Sequence, residues 1–144
     1  MSIDPRLNNI DDCLYRVAVR ALVVQNGKVL LIQEVPEMWW AFPGGGVEHG
    51  ETVKSSLIRE LEEELGLQAQ EIFSDFQIVY YDIGKVVNGI PRMNLFYKIS
   101  VTEKLSEETT RVAKWSWFTK NEFLKVETSP SYDKIKLADV IFGV

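Results

Sequence analysis

Cysteine and histidine are almost missing: the 144 residues hold one of each, Cys13 and His49. A lone cysteine cannot build an intramolecular disulfide framework, and this scarcity also excludes a metal site made of clustered thiolates and imidazoles. Cys13 is expected as a small apolar filler. No apolar run approaches the ~18 residues of a membrane span. The first twelve positions carry Asp4, Asp11 and Asp12 and lack the pattern of a signal or transit peptide, so the default address is the cytoplasm. Positive charge is in deficit, with 16 Lys and Arg against 21 Asp and Glu and a net charge of -5. Such a chain has little of the basic surface that nucleic-acid polymers or anionic membranes require, which excludes both as expected partners. Small nucleotides stay open, because their phosphates can be held through a cation. Repeats, low-complexity tracts and internal linkers are absent as well. The chain therefore reads as an N-terminal arm at 1–13 and a single domain at 14–144.

What is present is a mixture of strand and helix signals. Tyr15, Val17, Val19, Ala21 and Val23 alternate with Arg16, Ala18, Arg20 and Leu22, which predicts a strand with one buried face. Asn26-Gly27 then separates it from the apolar run Lys28 to Gln33, a strong signal for a type I′ hairpin. A Gly- and Trp-rich loop spans Pro36 to Gly50. Thr52 can cap a helix that runs to Leu65 and stops at Gly66. Further strands are expected at Phe76 to Tyr81, Asn94 to Val101 and Ala113 to Phe118, with Asn88-Gly89 in a turn. Asn121 to Leu124 reads as one helical turn and Tyr132 to Ile141 as a C-terminal helix. The fold class is α/β (α+β), a sandwich of helices and sheet.

The charge is unevenly placed. Between Glu51 and Glu64, five acids (Glu51, Glu60, Glu62, Glu63, Glu64) face only Lys54 and Arg59. On a helical wheel Leu57, Ile58, Leu61 and Leu65 share one side, while Glu60, Glu63 and Glu64 are i, i+3 and i+4 neighbours on another, expected to converge. A solvated acidic face is the bland reading. Three features oppose it: the acids sit where the helix dipole disfavours negative charge, basic partners are few, and Pro43-Gly44-Gly45-Gly46 just upstream offers backbone that can approach a ligand closely. Carboxylates beside open backbone form a hard-oxygen site suited to Mg²⁺ or Mn²⁺ rather than zinc.

Gly45, Glu51, Arg59-Glu60, Leu61, Glu63-Glu64 and Gly66-Leu67 resemble the Nudix box, G-x5-E-x7-R-E-U-x-E-E-x-G-U with U bulky and aliphatic, at every specified position. The KVLLIQE hairpin strand, the Trp40 to Gly45 entry and the Trp117-Phe118 strand are similar to the family's surroundings of that box. The resemblance implies an α/β/α sandwich around a mixed sheet, with the box as loop, helix and loop. It also implies divalent-metal hydrolysis of a pyrophosphate bond in a nucleoside diphosphate-linked small molecule, by a chain that can form a homodimer. On it, Glu60, Glu63 and Glu64 are metal ligands with the Gly44 carbonyl, and Glu60 or Glu63 doubles as base. Arg59 and Glu51 support them, and Gly45 and Gly66 serve the backbone. An additional acid is sought in Glu103, Glu107 or Glu108. Trp39 or Trp40 is the candidate base contact, and Arg16, Arg20 and Arg92 are candidate phosphate anchors. Trp117 is expected in the core, His49 as loop filler, and Lys114 and Arg111 on a solvated edge. Downstream of the box, Tyr80, Tyr81 and Asp82 do not match the markers of the dinucleoside polyphosphate or ADP-ribose subfamilies. A nucleoside or deoxynucleoside triphosphate is thus the default substrate. ADP-ribose, a dinucleotide, or a non-catalytic sensing role are the alternatives.

Overall fold

The computed structural model describes residues 4–33, 39–102, 105 and 114–143. The strands are β1 (Arg16–Gln25), β2 (Lys28–Gln33), β3 (Gly44–Gly46), β4 (Phe73–Val87), β5 (Ile90–Val101) and β6 (Lys114–Phe118), and the helices are α1 (Val53–Leu65), α2 (Ala69–Ile72), α3 (Lys120–Lys125) and α4 (Lys134–Phe142). The strands form a six-stranded mixed sheet in the order β4-β5-β1-β2-β6, with β3 attached to β1. β1 is parallel to β5; the other strand pairs are antiparallel.

β1 is buried on both faces, not on one as its alternation predicts: Val19, Ala21 and Val23 sit under one helical layer, and Ala18 and Leu22 are as fully covered on the other side. The reason is its central place in a sheet covered on both faces, by α1 on one side and by residues of α3 and α4 on the other, so that positions of both parities are buried. On one face Val19, Ala21, Val23, Leu30 and Ile32 pack with Leu57, Leu61 and Leu65 of α1, together with Trp115 and Trp117. On the opposite face Leu22, Val29, Leu31 and Phe96 pack with Phe42, Phe123, Tyr132 and Leu137. The expected sandwich of helices around a mixed sheet is therefore present.

The Asn26-Gly27 turn has φ of 52° and 72°, as a type I′ hairpin requires. Asn88-Gly89 repeats the device with φ of 52° and 79°, joining β4 and β5 as a hairpin whose last pair is Val87↔Ile90. β4 extends well beyond the predicted Phe76 to Tyr81, with register shifts near Asp75 and Gly84. These residues sit at φ of 54° and 96°, and the resulting bulges hide the strand's period from the sequence. Cys13 is exposed, which corrects its expected role as an apolar filler: the arm leading to β1 has no core around it. The arm is tied down by the Asp4 N–H, which donates to the Gly89 carbonyl. Among the described residues no helix is long and apolar enough to cross a membrane.

The feature that positions the site is a divided edge on β1. Its far end pairs with β2 through Val24↔Val29 and Gln25↔Lys28. The two strands then part, and the chain from Ala41 onward enters the gap. Ala41 pairs with Ile32 of β2, and β3 pairs with β1 through Ala18↔Gly46, Val19↔Gly45 and Arg20↔Gly44. The glycine loop is thus a strand in the sheet. The sequence reads as a loop here, because glycines carry no side chains to display a period.

Candidate active site

Helix α1 begins at Thr52, whose hydroxyl accepts from the Ser55 N–H at 3.0 Å while the Ser55 hydroxyl accepts from the Thr52 N–H at 3.0 Å. It ends at Gly66, in the left-handed region at φ 66°, whose N–H reaches the Glu62 carbonyl. Both ends are as the sequence predicts. Leu57, Leu61 and Leu65 are buried, and this fixes the rotation of the helix. The glutamate side therefore faces β3.

Arg59 organises that side. Its Nε donates to Glu51 Oε2 at 2.7 Å and its Nη2 to Glu51 Oε1 at 2.9 Å, a two-pronged pairing that suits guanidinium and carboxylate. Nη1 reaches Glu60 at 3.2 Å and Glu63 at 3.4 Å, and Nη2 reaches the Gly46 carbonyl at 3.4 Å. The short pair to Glu51 anchors the guanidinium, and the longer contacts hold Glu60 and Glu63 loosely. Glu64 points inward, is 6 % exposed, and accepts from the Gly44 N–H at 2.9 Å. The Gly44 carbonyl accepts from Arg20 Nη1 at 3.3 Å.

Two glycines have distinct tasks. Gly44 has φ 145°, and a Cβ there would overlap the Val19 carbonyl oxygen and stand 2.9 Å from the Val19 carbonyl carbon. Gly45 has no unusual φ; a Cβ there would instead run into the Glu60 carboxylate, 2.7 Å from its carbon. Gly45 is therefore small so that a glutamate can lie against it, and the backbone constraint falls on Gly44 and Gly66.

The three carboxylates do not converge as the wheel predicts. Among the described residues no three acidic, histidine or cysteine side chains are gathered around one point that could hold a cation. Like charges at these spacings repel, and the acids are divided between two donors: Arg59 Nη1, shared by Glu60 and Glu63, and the Gly44 N–H for Glu64. The donor set nevertheless fits Mg²⁺ or Mn²⁺. It consists of carboxylate oxygens and a strand carbonyl, hard ligands that such ions prefer; Glu60 lies against Gly45 and Glu64 is bonded to Gly44, two of the three glycines of β3. His49 is exposed in the preceding loop. Glu103, Glu107, Glu108 and Arg111 lie outside the described residues.

Arg59 also sets the electrostatics. Its hydrogen bonds hold the Glu51 carboxyl down from 4.5 to about 2, helped by the Glu48 N–H. A folded-state pKa below the unfolded one stabilises the fold above about pH 4.5, and this contribution fades as pH falls toward 2. Melting temperatures measured from about pH 6 down to about pH 2 are expected to fall more steeply for wild type than for Glu51→Gln. Parallel curves would contradict the role given to this pair.

The remaining candidates divide between two places. Arg16 Nη1 donates to the Val47 carbonyl at 3.3 Å, beside the glycine strand. Arg20, Arg92 and Trp39 line a cavity of about 530 Å³ together with Lys85, Asn88, Ser129 and Ser131. Trp40 is turned to the core, edge-on to Phe118 at 4.9 Å, so Trp39 is the tryptophan of the pair that faces the cavity. Lys114 is exposed, with its ammonium 5.6 Å from the Trp40 ring. Lys85 and the two serines carry no sequence signal: they reach the cavity only through the packing of the β4–β5 hairpin against the segment before α4.

A profile described as the NUDIX domain matches residues 14–138. The chain belongs to the Nudix family. An RNA pyrophosphohydrolase of a Nitratiruptor species is 36% identical over 81 residues, 51% of this chain and 52% of that protein. The Nudix hydrolase YvcI of Bacillus subtilis is 52% identical over 40 residues, 28% of this chain and 25% of that one. The chain thus spans about half the length, or less, of these curated relatives. Among solved structures, the E. coli ORF135 protein superposes with a TM-score of 0.67 at 24% identity, covering 89% of each chain. The C. elegans Ap4A hydrolase does so with 0.66 at 18%, covering 89% of this chain and 94% of its own. At these identities the likeness is one of fold.

Proposed function

We propose that this chain is a cytoplasmic, metal-dependent pyrophosphohydrolase that cleaves a phosphoanhydride bond in a small nucleotide, by default a nucleoside or deoxynucleoside triphosphate. One observation carries the reading: Arg59, clamped by Glu51, presents Glu60 and Glu63 beside a glycine strand whose Gly44 is already bonded to Glu64. In this reading Glu60, Glu63, Glu64 and the Gly44 carbonyl hold Mg²⁺ or Mn²⁺. The ion, when bound, supplies charge neutralisation on the phosphate oxygens and makes water easier to deprotonate. Glu60 or Glu63 accepts the proton of the attacking water. Glu64 is fixed by the Gly44 N–H and keeps the strand and helix in register. Arg59 is a positioning residue that orients both outer glutamates. Trp39 offers a face on which a base stacks, worth about 1–3 kcal/mol.

The relative named as an RNA pyrophosphohydrolase supports a second reading, in which the triphosphate belongs to the 5′ end of an RNA. The test is a screen of nucleoside triphosphates, ADP-ribose, dinucleoside polyphosphates and a 5′-triphosphorylated oligonucleotide, with Mg²⁺ or Mn²⁺ and identification of the phosphate product. Pyrophosphate or phosphate released from a mononucleotide is expected, together with a rise in melting temperature on adding metal. Ion at a hundredfold over its Kd stabilises the native state by about 2.7 kcal/mol. No product from any of these compounds would overturn the hydrolase reading and leave the sensing one.

A further inference from the structure

Residues 40–42 run as a narrow ribbon between β2 and the segment 127–132 that leads into α4. Their hydrogen bonds alternate with the period of two of an extended backbone. Ala41 turns to β2: its N–H donates to the Ile32 carbonyl at 2.8 Å, and its carbonyl accepts from the Ile32 N–H at 2.7 Å. Trp40 turns the other way: its N–H donates to the Glu127 carbonyl at 2.9 Å, and its carbonyl accepts from the Ser129 N–H at 3.1 Å. Phe42 faces the same way as Trp40 by that period, but among the described residues no backbone carbonyl meets its N–H. The Tyr132 hydroxyl accepts it instead, at 3.1 Å.

That bond stands at the entrance to the glycine strand. From Phe42 to Gly44 the chain has two N–H groups, since Pro43 has none. Tyr132 takes one, and Glu64 Oε1 takes the other at 2.9 Å. The Phe42 and Gly44 carbonyls both accept from Arg20 Nη1, and the Pro43 carbonyl accepts from the Ala21 N–H. Phe42 is fully buried and Tyr132 nearly so, so water is a poor substitute for either partner. The Tyr132 ring packs 5.0 Å from that of Phe42 and 5.9 Å from that of Phe96. A phenylalanine would fill this apolar space as well; the hydroxyl serves the Phe42 peptide. Burial raises the Tyr132 phenol above its ordinary pKa, which keeps it a neutral acceptor.

We propose that Tyr132 is a positioning residue for the reaction: through the Phe42 N–H it sets the peptide that presents the Gly44 carbonyl to the ion. The inference rests on the hydrolase reading for the role of that carbonyl. Two acceptors on opposite sides of the sheet, Tyr132 before α4 and Glu64 on α1, clamp the chain on either side of Pro43. Without the hydroxyl a buried N–H is left unsatisfied, at a cost that the peptide relieves by rotating. The Gly44 carbonyl moves with it, and a displacement of about 1 Å is enough to slow a reaction about a hundredfold.

Tyr132→Phe tests this, because it keeps the ring and removes the acceptor. In the metal-free protein, hydrogen exchange read by NMR is expected to show the Phe42 and Gly44 amides losing at least about tenfold more protection than the rest of the sheet. With Mg²⁺ and the best nucleotide substrate, kcat falls about ten- to a hundredfold while KM stays within about twofold, since Tyr132 does not line the cavity. The control is Val29→Ala, which removes buried methyl groups from the same apolar cluster at the hairpin end of β2. It is expected to lower the melting temperature comparably and to keep kcat. A Tyr132→Phe variant with the kcat of Val29→Ala, or with protection lost evenly across the sheet, would overturn the proposal. If Tyr132→Phe does not fold, the wild-type Phe42 amide decides: exchange only through global unfolding is expected, and exchange as fast as in an open loop overturns the clamp. If wild type hydrolyses no nucleotide, the hydrolase reading fails, and the exchange result still judges the clamp.

Discussion

Glu63→Gln is expected to cut turnover by about three orders of magnitude, the effect of removing a metal ligand or proton acceptor, while leaving the melting temperature within about 1 °C. The two halves of this expectation have separate physical sources. The Glu63 side chain is 60% exposed and its ion pair with Arg59 spans 3.4 Å, so the fold draws little from it. Glutamine keeps the shape and removes the charge, which is what a divalent cation or a departing proton requires. Circular dichroism, thermal melting and initial rates with the best substrate from the screen provide the check. A variant of near-wild-type rate would remove Glu63 from the reaction.

Alanine at the two adjacent glycines should separate fold from chemistry. Gly44→Ala is expected to cost about 3 kcal/mol or more, because it combines an unfavourable φ with an overlap that backbone atoms alone must relieve. For a domain of this length that corresponds to a fall of roughly 10 °C in melting temperature. Gly45→Ala meets a flexible partner, the Glu60 carboxylate. The side chain gives way, so a loss of about 1 kcal/mol or less is expected, while activity falls by at least about a hundredfold as Glu60 leaves the strand. Equal melting temperatures for the two variants would contradict the division of tasks between these glycines.

The parts of the fold that the sequence displays are those set by local rules. Thr52, Gly66 and the leucine spacing define α1 within one turn at either end, and Asn26-Gly27 defines a hairpin from two residues. β3 is invisible because its identity as a strand comes from β1, and the full length of β4 is obscured by bulges at Asp75 and Gly84. At the site, the wheel places Glu60, Glu63 and Glu64 on one side of α1 but says nothing about which donor each carboxylate finds. Only packing reveals that Arg59 and the Gly44 N–H divide them. Arg20 and Arg92, candidates already from their strands, line one cavity with Lys85. Lys85 carries no such signal, since it enters the cavity from a hairpin whose path depends on those bulges.

The divided edge of β1 means that the signature from Gly45 to Leu67 is a unit of recognition and not a unit of folding. Its first residues take their conformation from Ala18 and Val19, far upstream in the chain, and its helix takes its rotation from the sheet beneath. A peptide carrying the motif alone would keep every specified letter and lose the ladder that gives Gly45 and Gly46 their shape. Transplanting this chemistry into another scaffold therefore means moving a parted hairpin along with the loop and helix it receives.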